Sequence, residues 1–237
     1  MKVLVLGDGL LGSEIVKQTG WDYISRKKGD FDVDGDLEEM VDLSIAYTHI
    51  INCIGNTNTY SDDRASHWKI NYKFVDKLIK FCNVQNKKLV HISSDYIYAG
   101  SDSIADEETT VPVHCDNWYG YTKLLADGLV QLQSNNHLIV RCSHKPTPYP
   151  YPAAWVDQVS NADYVDNIAY YIINLIKYDV SGVWNVGTEV KTPHELATRT
   201  VPNASKILSP VEVPKNITMN IDKMRFYLVG QAARNCE

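Results

Sequence analysis

Tyr119 and Lys123 stand four residues apart in a stretch with helical patterning, so both side chains share one face. An ammonium in that position lowers the pKa of the neighbouring phenol and can bond a ribose hydroxyl. The pair could therefore deliver a proton to a reacting oxygen. The spacing alone is weak evidence. Tyr23 and Lys27 share it on a strand and its turn, where four residues span about 13 Å and the two groups cannot cooperate. Ser94 separates the two cases, because it follows the apolar run Lys88–Ile92. In a parallel sheet the carboxyl ends of the strands border the ligand crevice, and a hydroxyl there can hold a carbonyl oxygen.

A second set of residues is suited to phosphate. Gly7-Asp8-Gly9-Leu10-Leu11-Gly12 follows the β-branched and leucine run of residues 2–6 and opens a helical segment at 13–19. Glycines spaced this way permit a tight turn, close approach of backbone to a pyrophosphate and close helix-on-strand packing. The helix N-terminus adds free N–H groups and partial positive charge. An acidic side chain at the end of the second strand would suit an unmodified ribose. Here that strand ends Ile24-Ser25-Arg26-Lys27-Lys28, and a hydroxyl beside a guanidinium suits a 2′-phosphate instead. NADP(H) is the expected cofactor, with NAD(H) the second choice.

The elements that must position these groups alternate. Strand patterns at 22–26, 49–53, Lys88–Ile92, 137–141 and Gly182–Val186 are interleaved with helical patterns at 37–43, 68–82, 119–132 and Val165–Lys177, which predicts a parallel sheet. Residues 145–152 read Lys-Pro-Thr-Pro-Tyr-Pro-Tyr-Pro, a loop or extended crossing that neither helix nor central strand accepts. A short helix opens at Thr192-Pro193, and the polar remainder shows little periodicity.

Composition narrows the function class. With 237 residues, 44% of them apolar, the chain can bury a core without a disulfide or metal staple. A formal net charge of −6 without clustered Lys and Arg argues against a nucleic-acid partner. Five cysteines (Cys53, Cys82, Cys115, Cys142, Cys236) include no C-x-x-C pair, so reduced thiols are expected. No apolar stretch approaches the roughly 18 residues of a membrane span, nor is a cleavable leader expected; a cytoplasmic location without membrane contact follows. The seven histidines (His49, His67, His91, His114, His137, His144, His194) lack ligand spacing, and Asp106-Glu107-Glu108 reads as a solvated acidic turn. No metal is expected.

The glycine turn, Ser93-Ser94-Asp95-Tyr96-Ile97-Tyr98 and Tyr119-Gly120-Tyr121-Thr122-Lys123 together resemble the extended short-chain dehydrogenases. Within them they are most similar to the dTDP-4-dehydrorhamnose reductases. Further matching stretches run nearly end to end: Asn52-Cys53-Ile54-Gly55, Asn71 after Trp68-Lys69-Ile70, Tyr164 to Ala169, Gly182 to Gly187, and Ile221 to Met224. The resemblance implies an α/β fold, a Rossmann-type doubly wound parallel sheet, with a dinucleotide-binding domain over 1–142. A small, reduced substrate-binding region over 143–237 would pack partly on that sheet. It implies Tyr119 as general acid, Lys123 as holder of ribose and tuner of the phenol, Ser94 as partner of the carbonyl, and Asn71 in a water relay. The cofactor set carried over is Gly7, Gly9, Leu10, Leu11, Gly12, Ser25, Arg26, Asp32, Val33, Cys53, Ile54 and Gly55, with Tyr119 and Lys123.

Reduction of a 4-keto group on a nucleotide-linked deoxysugar is the activity the resemblance implies, and a homo-oligomer is compatible with it. An epimerase, an epimerase-reductase and a non-catalytic NADP-binding regulatory subunit stay open as alternatives. Dehydration is disfavoured, since dehydratases of this family place Asp-Glu where this chain has Asp95-Tyr96. One departure is evident. The longer insertion normal between Arg141 and Asp157 is replaced by a short proline-aromatic stretch, in which Tyr149, Tyr151 and Trp155 either stack on a base or cap the core. The substrate is then smaller or held differently, or a partner subunit completes the pocket.

Overall fold

The strand runs Val3–Leu6, His49–Asn52 and Lys88–Ile92 are buried at every position. A continuous apolar run needs cover on both faces, the situation of a parallel sheet flanked by helices. The computed structural model describes residues 1–101, 104–109 and 117–234. In chain order it contains β1 (Val3–Leu6), α1 (Leu10–Thr19), β2 (Asp22–Ile24), α2 (Leu37–Met40), β3 (His49–Asn52), α3 (Arg64–His67), α4 (Phe74–Val84), β4 (Lys88–Ile92), α5 (Trp118–Gln133) and β5 (His137–Cys142). There follow β6 (His144–Lys145), β7 (Ala153–Trp155), β8 (Asp163–Tyr164), α6 (Val165–Lys177), β9 (Gly182–Val186), α7 (Pro193–Thr198), β10 (Ser205–Ile207) and α8 (Asp222–Arg234).

Six strands form one sheet in the order β2-β1-β3-β4-β5-β9, and every pairing is parallel. The chain leaves β1 toward β2 and returns to the other side of β1 with β3, so the order reverses there. Such a reversal opens a crevice outside the carboxyl ends of the two strands. Alternate strand residues feed opposite cores. Val3, Val5, Ile51, Val90 and Val140 pack under Ile15 of α1 and Ile168 and Ile172 of α6. Leu4, Leu6, Ile50, Leu89 and Ile139 pack under Phe74 and Leu78 of α4 and Ala126 and Val130 of α5. The sheet extends past residue 142, because β9 adds its sixth strand.

Several local expectations are corrected. The second strand stops at Ile24, because the Ser25 hydroxyl accepts from the Lys28 N–H at 3.3 Å and turns the chain into a 3-10 turn over Arg26–Lys28. The helix expected over 37–43 is the single turn of α2, capped by Asp36. The proline stretch is bracketed by short strands: β6 pairs with β8, and β7 with β10. The acidic turn is not merely solvated, since Glu107 Oε1 accepts from the Asn185 N–H of β9 at 3.0 Å. In the polar C-terminal region α8 forms with Met224 as its one buried residue. A helix burying so little carries no apolar stripe to be read.

Candidate active site

A cleft of about 500 Å³ opens at the carboxyl ends of the strands. Its first wall is the glycine turn. Gly7 has φ of 95°, and a side chain there would meet Ile54 Cγ1 at 2.9 Å. At Gly12 a Cβ would lie 2.0 Å from the Gly7 carbonyl oxygen, so α1 can approach β1 this closely only without one. Gly9, which caps α1, supplies no side chain to the first-turn N–H groups, leaving them for an anion. Gly9, Leu10 and Leu11 line the cleft beside Cys53, Ile54 and Gly55. The basic turn after β2 lies close by: Lys27 Nζ donates to the Asp8 carbonyl at 3.2 Å. Arg26 is exposed at the start of that turn, and the Ser25 hydroxyl is occupied in capping it. Asp32 and Val33 are not among the residues lining the cleft; Val33 packs against the core under α4.

The floor carries the chemistry. Ser94, Tyr119 and Lys123 all line the cleft. α5 starts at Asn117, whose side chain accepts from the Gly120 N–H at 2.9 Å, and this cap presents Tyr119 and Lys123 from the first two turns. Burial pushes the Tyr119 phenol well above its ordinary value, while a hydrogen bond from Ser94 draws it partly back. The phenol therefore holds its proton at neutral pH. Lys123 is only 4% exposed, and its ammonium donates to the Ile92 carbonyl at 2.6 Å. Burial lowers its pKa, against the opposing pull of Asp127. In this structure the ammonium is engaged with that backbone carbonyl.

Asn71 is fully buried and spends its amide elsewhere. Its Oδ1 accepts from the Asn56 N–H at 2.8 Å, and its Nδ2 donates to the Asn56 carbonyl at 3.1 Å and the Thr122 hydroxyl at 3.3 Å. It sits in a π-helical turn, Trp68–Lys73, between α3 and α4, and clamps the loop after β3 rather than lining the cleft. That loop delivers a residue no motif announced. Tyr60 hydrogen-bonds the Tyr96 hydroxyl at 2.6 Å, and Tyr96 stacks edge-on to Tyr119 with centroids 5.9 Å apart. On the far wall stand His144, Lys145, Tyr151, Trp155, Gln158 and Lys191. Of the three aromatics in the proline stretch, Tyr149 is core, packed on Tyr164 and Leu196, while Tyr151 and Trp155 face the cleft.

Charge in the cleft is one-sided. Lys123, Lys145 and Lys191 line it, and among the described residues no Asp or Glu does, although Lys191 is paired from behind with Asp163 at 3.6 Å and Glu189 at 3.7 Å. Asp95, wholly buried behind Ser94, is pushed up to about 7 by burial, which outweighs the opposing charge of Lys145. Burial likewise raises the free thiols Cys53 and Cys82 to about 12. Cys115, Cys236 and His114 lie outside the described residues. Among those described, no three His, Cys, Asp or Glu side chains converge to hold a metal ion, and no helix is long and apolar enough to cross a membrane.

The family model described as the RmlD substrate binding domain matches residues 1–144. The chain belongs to the RmlD substrate binding domain family. No curated protein matches the sequence. Among solved structures the RmlD-family chain is similar to a dTDP-4-dehydrorhamnose reductase from Clostridium acetobutylicum, with 19% identity and a TM-score of 0.79, covering 94% of this chain and 91% of that one. A dTDP-4-dehydrorhamnose reductase from Bacillus anthracis in complex with NADP gives 21% identity and a TM-score of 0.77, covering 96% and 93%. UDP-glucuronic acid 4-epimerase from Bacillus cereus in complex with NAD gives 16% and 0.73, covering 95% and 92%. At these identities the likenesses establish the fold.

Proposed function

We propose that this RmlD-family chain is an NADPH-dependent reductase of a 4-keto group on a nucleotide-linked deoxysugar. The convergence of Ser94, Tyr119 and Lys123 on one cleft, beside a glycine cradle that a single Cβ would fill, carries the reading. The cradle fits a dinucleotide: Gly7, Gly9 and Gly12 with the α1 N-terminus would hold its pyrophosphate, and Arg26 its 2′-phosphate. When bound, the nicotinamide supplies hydride to the substrate carbon. Tyr119 then gives its proton to the carbonyl oxygen as negative charge develops there, and Ser94 donates a second hydrogen bond to that oxygen. Lys123 is placed to hold the ribose and to steady the phenolate left on Tyr119. Its present bond to the Ile92 carbonyl keeps the ammonium positioned until then.

Two further features support the substrate class. A lining that holds Lys145 and, among the described residues, no carboxylate suits a ligand carrying negative charge, as a nucleoside diphosphate does. Tyr151 and Trp155 offer flat apolar surface for a base or a sugar face. Purified protein supplied with NADPH and a dTDP-linked 4-keto-6-deoxy sugar should consume NADPH and form the 4-hydroxy product. The reading is lost if NADPH binds but no nucleotide-linked 4-keto sugar is turned over. Product stereochemistry distinguishes simple reduction from reduction coupled to epimerisation.

A further inference from the structure

Ser94 has one proton and three claimants for it. Its Oγ lies 3.3 Å from Asp95 Oδ1, it acts on the nearby Tyr119 phenol, drawing that group's pKa down, and the proposed reduction needs it to donate to the substrate oxygen. One lone pair is already used, accepting from the Tyr96 N–H at 3.2 Å. A carboxylate can only accept. Were Asp95 ionised, it would take the Ser94 proton, and a bare hydroxyl oxygen would face the cleft where negative charge must develop. Protonated, Asp95 donates instead. The direction of one buried bond thus decides whether Ser94 helps or hinders.

The surroundings of Asp95 favour the acid. The residue is 0% exposed, its Oδ2 has no hydrogen-bond partner, Lys145 acts on it as a charge without a hydrogen bond, and the pull of Ser143 and of its own backbone N–H toward the ionised form is outweighed by burial. A buried carboxylate left this poorly solvated takes up a proton. We propose that Asp95 is a positioning residue for the reduction: in its acid form it donates to Ser94 Oγ, which frees the Ser94 proton to point at the substrate oxygen. The inference rests on the reductase reading. The ionisable groups that face Asp95 are Tyr96 on its own turn, Tyr60 from the loop after β3, Tyr119 from α5, Cys142 from β5 and Lys145 from β6. Burial holds the three phenols and the thiol neutral well past pH 7, and it lowers Lys145. Asp95, raised to about 7, changes charge around neutrality, and its Asn variant separates that titration from the one of Lys145 beside it.

The test is the profile of kcat/KM from about pH 5 to about pH 9 for the wild type, Asp95→Asn and Asp95→Ala. The wild type should lose activity on the alkaline side with a midpoint near the Asp95 value. Asp95→Asn, whose amide donates without titrating, should lose that alkaline limb and stay within about tenfold of the plateau. Asp95→Ala, with no donor, should fall a further five- to tenfold or so, the worth of one hydrogen bond. An unchanged alkaline limb in Asp95→Asn overturns the proposal, as does an Asn variant no better than Ala.

A second readout does not need turnover. Infrared difference titration of the protein, wild type against Asp95→Asn, should show a carboxylic C=O band at low pH that bleaches near neutrality. Its midpoint should rise in Ser94→Ala, because the charge-assisted bond that Ser94 gives the carboxylate is stronger than the one it accepts from the acid. A carboxyl already ionised at about pH 5, or a midpoint indifferent to Ser94, overturns the proposal. Failure to turn over any keto sugar overturns the reductase reading alone, and the infrared titration still decides the Asp95–Ser94 bond.

Discussion

At the scale of single residues the burial of Tyr119 has a direct consequence. A phenol raised by desolvation stays protonated at neutral pH but is a weaker acid, so it gives up its proton only as the substrate oxygen becomes an alkoxide, a stronger base than the phenolate. Tyr119→Phe keeps the ring and removes the proton, so NADPH affinity should hold while kcat falls on the order of 10²–10⁴-fold. Fluorescence titration of NADPH together with steady-state kinetics checks both halves; normal turnover in the variant would exclude Tyr119 as the acid. Lys123→Met should behave differently, weakening cofactor binding as well as turnover, since the ammonium is assigned to ribose and phenolate alike. Arg26 is exposed and stands where the chain turns toward the glycine loop. Exchanging it for Asp replaces an attractive partner of a 2′-phosphate with a repulsive one, and the ratio of NADPH to NADH affinity should fall. If the ratio holds, Arg26 is a surface charge and the cofactor is selected elsewhere.

Among the elements, α5 matters most, because it carries both Tyr119 and Lys123 within two turns of its start. Its N-cap is Asn117, and the Gly120 backbone is so close to the Tyr96 carbonyl that a Cβ would stand 3.0 Å from that oxygen. The helix start and the turn after β4 are thereby docked together, which sets Tyr119 against Ser94. Asn117→Ala should cost about 1 kcal/mol of stability, the usual worth of an N-cap. It should also lower kcat more than KM, by letting the first turn drift. Urea unfolding and kinetics on the same preparation separate the two effects. A stability loss with unaltered kcat would mean that the Tyr96 contact alone holds the helix start.

Across the whole molecule a buried polar chain joins elements distant in sequence. Arg141 Nε donates to Asp127 Oδ2 at 3.0 Å, its NH1 to the Tyr98 hydroxyl at 2.6 Å, and that hydroxyl to Asn185 Oδ1 at 2.9 Å. β5, α5, the turn after β4 and β9 are tied in one network beneath the cleft. Asp127→Ala leaves the Arg141 guanidinium buried without its counter-charge and should cost about 3–5 kcal/mol, read as a lowered urea midpoint. Acid stability depends on His144, which burial, aided by Lys145, holds down to about 4 from 6.5. Between those values the unfolded chain binds a proton that the folded chain refuses, so this contribution is complete above 6.5 and is lost as pH falls toward 4. Asp95 works the other way, its raised carboxyl contributing stability at low pH that is lost as pH rises through about 7. The two offset in the wild type. His144→Gln removes one of them, and its urea midpoint should rise relative to the wild type as pH drops from 6.5 to 4; parallel midpoints would show that His144 is not buried neutral.

The central sheet, the glycine turn and the Tyr119–Lys123 pair were legible in the residues, because each depends on local spacing. A strand buried on both faces is written as an unbroken apolar run, a Gly at positions 7 and 12 as the absence of a Cβ, and a helix face as an interval of four. Tertiary structure alone decided what depends on long-range approach. Tyr60, Gln158, Lys145 and Lys191 reach the cleft from loops and short strands without periodic pattern. Asn71 has a residue type that fits a relay, and only the fold shows its side chain bonded to Asn56, His67 and Thr122. The pKa of Asp95 depends on how much water its neighbours exclude, a property of the packed site that no interval along the chain records. Spacing determined which groups could cooperate; burial decided which of them hold their protons.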